Sequence, residues 1–237
     1  MLNPEAFQDH ESMSVRAANW LLERLHRKPE ALLCLATGGT PTRTYELLAQ
    51  RGASAPDLVA QMRVLKLDEW GDLAMDDPAS CEFHLRKLLV GPLELESRYT
   101  GFQNQPVDAE AECGRIAHWL GANGPIDVCV LGLGVNGHLG FNEPAPALQP
   151  HAHVAKLAAS SLQHAMLTVS RGRPTFGLTL GMADLLHARE VLLLVSGPGK
   201  REPMRRLLDG RIATDFPASL LWLHPAATLL CDRAALP

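Results

Sequence analysis

The stretch IDVCVLGLGVNGHLGFNEP (126–144) joins an apolar run to a glycine-rich turn. Its first half is rich in Val and Leu with little polar alternation, a pattern typical of a strand buried on both faces. Such strands form parallel sheets that are covered by helices on each side. The turn that follows contains four glycines within nine residues: Gly132, Gly134, Gly137 and Gly140. The sequence therefore predicts a buried parallel strand that ends in a sharply turned loop.

Other apolar runs of strand length alternate with amphipathic stretches along the whole chain. The clearest runs are 31–37, 62–70 and 190–197, in addition to 126–134. Helical spacing of apolar residues predicts helices between and beside these runs, at 12–27, from Thr40 onward, 79–90, 108–122 and 198–209. This order predicts a doubly wound, mostly parallel α/β sheet that forms a single domain over residues 1–237.

Composition and charge narrow the class of partner. The chain has 237 residues, 46% of them hydrophobic, and a net charge of -4. With this net charge the chain has no excess of basic residues for binding nucleic acid or an anionic membrane. A small anionic ligand remains possible, because it needs only a local cluster of hydrogen-bond donors. No apolar run is long enough to span a membrane, and no secretory signal is visible. The five cysteines form no CxxC pair, so we expect a reducing cytoplasm.

The ends of the predicted strands carry the residues suited to chemistry. In open α/β sheets, ligands bind outside the carboxyl ends of the strands. The strand ends here carry Thr37–Thr40, Asp68–Trp70, Gly134–Glu143 and Gly197–Lys200. We therefore expect one site, assembled from these four segments.

The segment ATGGTP (36–41) follows a predicted strand and opens a predicted helix. Gly38 and Gly39 allow close approach of a ligand, and free N–H groups at a helix start favour an anion. Thr37 and Thr40 add hydroxyl donors. The alternative is a tight turn with Thr40 as the helix N-cap. The segment lacks both the GK[ST] ending and the GxGxxG pattern, which disfavours a dinucleotide.

The segment LDEW (67–70) places two carboxylates at the mouth of a strand. Asp68 is a candidate general base for removing a carbon-bound proton. Glu69 should point to the opposite face of the extended chain. The alternative interpretation is a helix cap or a solvated turn.

The glycine-rich turn brings Asn136, His138, Asn142 and Glu143 towards one point. A histidine beside a carboxylate can be held in one tautomer and can carry a proton near neutral pH. The alternative is a solvated loop histidine, but a glycine-rich loop after a buried strand favours function.

Several basic residues are candidates for binding a phosphate. Lys200 follows a glycine turn at the start of a predicted helix, where a lysine suggests an anion in front of it. Arg171 and Arg173 form a second candidate clamp, although exposed arginines are common. His164 lies near the expected site. His151 and His153 have no third ligand at a spacing suited to a metal.

Taken together, ATGGTP, LDEW, GLGVNGHLGFNEP and SGPGK resemble the glucosamine-6-phosphate deaminase/isomerase family, which shares its fold with 6-phosphogluconolactonases. The resemblance covers nearly the whole chain, and GHLGFNEP is its most specific motif. KLDEWGDL, LLHAREVLLLV and PASLLWLH resemble the galactosamine-6-phosphate branch. The resemblance implies a modified Rossmann-like sheet. It also implies conversion of an amino-sugar 6-phosphate to a ketohexose 6-phosphate and ammonia without metal or organic cofactor, and it leaves homo-oligomerisation open.

The resemblance also implies roles for individual residues. The family's base falls on Asp68, its ring-opening histidine on His138, and the supporting glutamate on Glu143. The phosphate-binding residues fall on Gly38, Gly39, Thr40 and Lys200, whereas the family's phosphate-binding arginine has no clear match and Arg171 and Arg173 are the nearest candidates. Asn136 departs from the family, which usually has aspartate there, so we expect His138 to be a weaker base.

Two other functions remain open at this point. A lactonase acting on a 6-phospho sugar acid would use His138 to activate water, but it would need neither the FNEP sequence nor the carbon base. A sugar-phosphate sensor would share the fold, but it would normally carry an additional DNA-binding segment.

Overall fold

The computed structural model describes residues 2–237 and contains two sheets. In chain order the strands are β1 (Pro4–Phe7), β2 (Leu32–Leu35), β3 (Arg63–Lys66), β4 (Asp68–Trp70), β5 (Tyr99–Thr100), β6 (Val128–Gly132), β7 (His153–Ala155), β8 (Gly177–Thr179), β9 (Glu190–Val195) and β10 (Ala227–Asp232). Seven of them form a parallel sheet in the order β1-β10-β9-β6-β2-β3-β5. The other three form an antiparallel sheet in the order β4-β8-β7. The predicted doubly wound, mostly parallel α/β fold is confirmed.

The helices agree with the predicted order. They are α1 (His10–Arg27), α2 (Gly39–Ser54), α3 (Cys81–Leu85), α4 (Ala109–Asn123), α5 (Met182–Leu186) and α6 (Arg201–Leu208). Asp9 caps α1, Ser80 caps α3 and Asp108 caps α4, each by accepting a hydrogen bond from a backbone N–H of the first turn. A π-helical turn (Arg86–Val90) prolongs α3 to the predicted end at residue 90.

The parallel sheet is buried on both faces, as its apolar strands predict. In β2, Leu32 and Cys34 belong to the core that packs against α4, α5 and α6. Leu33 and Leu35 belong to the opposite core, which packs against α1 and α2. All four side chains are inaccessible to solvent. Alternate side chains of one strand therefore supply two separate cores.

The prediction of one continuous strand over 62–70 is wrong. The chain leaves the parallel sheet at Leu67, whose N–H donates to Leu35 O at 3.2 Å and whose carbonyl accepts from Leu180 N at 3.0 Å. Asp68–Trp70 then pair with β8 in the antiparallel sheet. The sequence analysis did not predict this small sheet, the edge strand β1 or the two-residue β5. These strands have two to four residues each, which is too short to show a period of hydrophobic residues. β10 was also missed.

A buried ionic cluster fixes this change of sheet. Lys66 is inaccessible to solvent, and its Nζ donates to Glu69 Oε2 at 2.7 Å and to Glu82 Oε2 at 2.6 Å. Glu69 Oε1 also accepts from the backbone N–H groups of Trp70 and Cys81, both at 2.9 Å. Glu69 therefore ties β4 to the first turn of α3, on the face opposite Asp68 as predicted.

The sheet order places the loops that follow β2 and β6 beside each other. From β2 the chain moves outward to β3 and β5 on one side, while β6, β9 and β10 lie on the other. Ligands bind at such a reversal, at the carboxyl ends of the strands. The fold therefore brings the segment after β2 next to the glycine-rich turn after β6.

The remaining predictions about the fold concern membrane-spanning helices and the cysteines. Within residues 2–237, no helix has both the length and the apolar character that a membrane span requires. The five cysteines are buried and form no disulfide.

Replacing Lys66 by methionine should lower the free energy of unfolding by about 3–5 kcal/mol, because two carboxylates would lose their shared buried counter-ion. Arg43 is a matched control, since its ion pair with Glu11 is partly exposed. Arg43→Met should therefore lower the free energy of unfolding much less than Lys66→Met does. Urea unfolding of both variants measures the difference, and equal losses would contradict a structural role for the cluster.

Candidate active site

A cavity of about 740 Å³ lies at the carboxyl ends of the parallel strands. Of the residues predicted from sequence, it is lined by Thr37, Gly38, Gly39, Thr40, Asp68, His138 and Lys200. These residues come from the ends of β2, β3 and β6 and from the turn after β9. The four strand ends thus meet at one cavity.

One end of the cavity is suited to an anion. Gly38 is the N-cap of α2 with φ = 113°, a backbone conformation that favours glycine, and no side chain caps the first turn. The interpretation of Thr40 as the N-cap is therefore wrong. The uncapped N–H groups of the first turn are available to a phosphate.

Lys200 and Thr37 stand at the same end. Lys200 Nζ donates to Leu133 O at 2.5 Å, and burial lowers the pKa of this lysine. Thr37 Oγ1 donates to Cys81 Sγ at 3.0 Å, so its hydroxyl also supports the cavity wall.

Asp68 has the environment of a carboxyl group tuned for proton transfer. It is only 8% exposed. Burial and the charge of Glu69 raise the pKa of Asp68 to about 7, against the opposing effects of Lys66 and the Cys81 thiol. A carboxylate with a pKa near neutrality suits a general base, because it can both accept and return a proton.

Glu143 lies behind His138 and orients it. Glu143 Oε2 is 3.3 Å from His138 Nδ1. Burial raises the pKa of Glu143. The hydrogen bond and charge of His138, with the Ser161 hydroxyl and the Asn136 amide, outweigh burial and bring this pKa to about 2. Glu143 is therefore a permanent carboxylate, and Nε2 is the ring nitrogen left to act on a ligand.

Asn136 contacts Glu143 rather than the imidazole ring. Its Nδ2 donates to Glu143 Oε2 at 2.8 Å, and its Oδ1 accepts from the His138 backbone N–H at 3.2 Å. Asn136 and Glu143 do not line the cavity. Their role is to hold His138, and Asn136 does so through the carboxylate. The expectation that Asn136 weakens His138 as a base stays a prediction.

The predicted arginine clamp does not meet the cavity. Arg173 is exposed and does not belong to the cavity wall. Arg171 turns away towards Asp76, with Nη2 3.0 Å from Oδ2. Among residues 2–237, Lys200 is the one lysine or arginine that lines the cavity.

Sequence reasoning missed several residues that meet the others only in the folded chain. Ser161 donates to Glu143 Oε1. Cys81 lies between Thr37 and Asp68. His10 donates from Nε2 to Thr40 O at 2.9 Å. A serine in an irregular segment or a histidine at a distant helix start carries no motif, so no local signal identified them.

The arrangement separates anion binding from proton transfer. Donors of the 38–40 segment and Lys200 can hold a phosphate, while Asp68 and His138 can move protons on the rest of the ligand. Within residues 2–237, no group of three or more His, Cys, Asp or Glu is placed to hold a metal ion.

Known proteins resemble this chain over most of its length. The family model described as glucosamine-6-phosphate isomerases/6-phosphogluconolactonase matches residues 8–230. AgaI from Escherichia coli strain K12, provisionally named a deaminase, is 45% identical over 92% of this chain and 86% of its own length. Glucosamine-6-phosphate deaminase 1 from Bacillus subtilis strain 168 is 37% identical over 96% of both chains.

Solved structures give the same result for the fold. A monomeric glucosamine-6-phosphate deaminase superposes with a TM-score of 0.93 at 36% identity, over 99% of this chain and 98% of its own. The 6-phosphogluconolactonase of Trypanosoma brucei has a TM-score of 0.77 at 17% identity, over 99% and 97% of the two chains. The second likeness concerns the fold alone.

Asp68→Asn should stabilise the folded protein above neutral pH. Between about pH 4 and 7, folded Asp68 keeps a proton that the unfolded chain releases, so wild-type stability falls as the pH rises. At pH 8 the variant should therefore be more stable by about 1–4 kcal/mol. Near pH 4 this gain should vanish. Urea unfolding at both pH values is the measurement, and an equal difference at both would refute the raised pKa.

Proposed function

Because the chain belongs to the glucosamine-6-phosphate isomerase/6-phosphogluconolactonase family, we propose that it converts an amino-sugar 6-phosphate to a ketohexose 6-phosphate and ammonia. The observation that carries this proposal is the cavity that joins an anion-binding helix start to Asp68 and to the His138–Glu143 pair. We propose galactosamine 6-phosphate as the first substrate, giving tagatose 6-phosphate. Glucosamine 6-phosphate, giving fructose 6-phosphate, is the second.

Binding begins at the phosphate. The phosphate docks on Gly38, Gly39 and Thr40 and near Lys200, which fixes the sugar with C1 and C2 beside Asp68. Binding energy from this remote group orients the reacting carbons and supplies part of the rate.

The chemistry then proceeds through two proton transfers and a hydrolysis. His138, held by Glu143, moves a proton between the ring oxygen and the C1 hydroxyl, which opens the ring. Asp68 removes the C2 proton to give an enolamine and returns a proton to C1, leaving an imine at C2. Water adds to C2, the C–N bond breaks, and ammonia leaves. The prediction that no metal or organic cofactor takes part is kept.

The lactonase alternative receives less support. Relatives at 36–45% identity are named as deaminases, whereas the lactonases resemble this chain only in fold, at 15–19% identity. Lactone hydrolysis also requires no carbon base, so it would not explain a buried carboxyl group whose pKa is about 7. We further propose that the protein works in a reducing cytoplasm, which is consistent with five unpaired buried cysteines.

Ammonia release from galactosamine 6-phosphate and from glucosamine 6-phosphate tests the function directly. Hydrolysis of 6-phosphogluconolactone is measured in parallel. Activity on at least one amino sugar and none on the lactone is expected. The reverse pattern would replace this function by the lactonase, and binding without turnover would indicate a sensor.

Asp68→Asn should lower turnover by about two to four orders of magnitude with little change in substrate affinity, because the amide cannot accept the C2 proton. In the wild type, kcat/KM should fall as the pH drops below about 7, where Asp68 becomes protonated. Steady-state kinetics across pH 5–9 measure both. Near-normal turnover of the variant would remove Asp68 from the mechanism.

Removing the 6-phosphate from the substrate should lower kcat/KM steeply, since the remote binding energy is lost. Lys200→Ala should reproduce part of that loss on the phosphorylated substrate and none on the free amino sugar. Arg173→Ala is a matched control outside the cavity wall and should leave both rates unchanged. Equal turnover of phosphorylated and free sugar would show that the docking site is wrongly placed.

A further inference from the structure

His164 lies on the wall of the cavity beside the anion-binding helix start. It precedes a 3-10 turn (Ala165–Val169), and its ring is tilted at 45° to that of Trp70, with centroids 6.1 Å apart. A methyl group placed on Gly38 would lie 3.7 Å from Cε1 and 3.8 Å from Nε2 of His164. The outer edge of this imidazole therefore faces the segment on which the phosphate is proposed to dock.

The hydrogen bond to the other ring nitrogen fixes the tautomer. The backbone N–H of Met166 donates to His164 Nδ1 at 3.2 Å. Nδ1 therefore acts as an acceptor, and the neutral ring carries its proton on Nε2. Within residues 2–237, the ring makes its hydrogen bond through Nδ1 alone, and Nε2 makes none. A donor is thus presented to the cavity.

The cavity is short of positive charge for a phosphate monoester. Above its second pKa, near 6, such a group carries a charge close to −2. Lys200 is the one lysine or arginine on the described part of the wall. A second cation at this end would balance the ligand, and a histidine can become that cation.

The surroundings of His164 keep it neutral before a ligand binds. Burial lowers the pKa of His164, and the positive charges of His138, Lys200 and His84 lower it further. Asp68 stands on the same cavity wall and is half-ionised near pH 7. A phosphate dianion beside the ring would reverse this balance, because an opposite charge favours the protonated form.

We propose that His164 binds the substrate phosphate through Nε2–H and takes up a proton on Nδ1 as the phosphate docks, which breaks the hydrogen bond from the Met166 N–H. This inference rests on the proposed function for the identity of the phosphate-bearing ligand. It adds a binding residue whose charge appears only in the complex. Phosphate affinity should then weaken with rising pH, once the pH passes the range in which bound His164 stays protonated.

The experiment uses glucitol 6-phosphate, which has no amino group or aldehyde and cannot turn over, and free glucitol beside it. Isothermal titration at pH 7.5 in buffers of different ionisation enthalpy gives both the affinity and the protons taken up. His164→Gln should bind glucitol 6-phosphate about 10–100-fold more weakly and take up fewer protons than wild type. Its affinity for glucitol should be unchanged.

Two further variants separate charge from structure. His164→Arg supplies a permanent cation, so its affinity for glucitol 6-phosphate should be within about threefold of the wild-type affinity. The proton that His164 takes up in the wild type should no longer be taken up. His26→Gln changes an exposed histidine of α1 and should behave as wild type in every measurement. Proton uptake by other groups, including Asp68, is common to all variants and cancels in the comparison.

In turnover of the amino-sugar phosphate, His164→Gln should raise KM about tenfold or more with kcat within about threefold. Unchanged affinity and proton uptake in His164→Gln would overturn the proposal. An equal loss for glucitol and glucitol 6-phosphate would also overturn it, because His164 would then contact the sugar. If the wild type releases no ammonia, the proposed function fails, but the titrations still decide the role of His164. If His164→Gln does not fold, the His164→Arg titration tests the proposal instead, and proton uptake equal to that of the wild type would overturn it.

Discussion

The ion pairs of Lys66 with Glu69 and Glu82 are the constraint on which the site depends. A buried lysine is costly unless carboxylates surround it, so the chain must bring Glu69 and α3 back over β3. This requirement turns the backbone out of the parallel sheet at Leu67. Asp68 is thereby left facing the cavity while its neighbour is locked behind it. The position of the candidate base follows from a contact made on the other side of the strand.

The site contains two carboxyl groups with opposite electrostatic environments, Asp68 on the cavity wall and Glu143 behind His138. Asp68 is buried beside another negative charge, and its pKa rises to about 7. Glu143 is also partly buried, but four polar partners surround it, and its pKa falls to about 2. Such a separation assigns roles: the first group exchanges protons, and the second holds a histidine in place. Asn136 contributes to the second role through its amide donor.

Much of this site could be predicted from sequence, because the carboxyl ends of buried strands are recognisable and the fold brings them together. That rule identified Gly38, Asp68, His138 and Lys200, all of which line the cavity. Arg173 was a separate candidate and lies outside the cavity wall, since a basic residue in an irregular segment gives no sign of its direction. The rule could not foresee the break at Leu67, which is set by Glu82, a partner 16 residues beyond Lys66 in the chain.

Charge links anion binding to the ionisation of Asp68. A phosphate brings negative charge into the space that Asp68 faces, and this charge opposes ionisation of the base. The base works only if the anion is compensated where it binds. The uncapped start of α2 and the Lys200 ammonium provide part of that compensation. The anion-binding residues therefore do more than hold the ligand: they keep the Asp68 carboxyl group able to lose its proton near neutral pH.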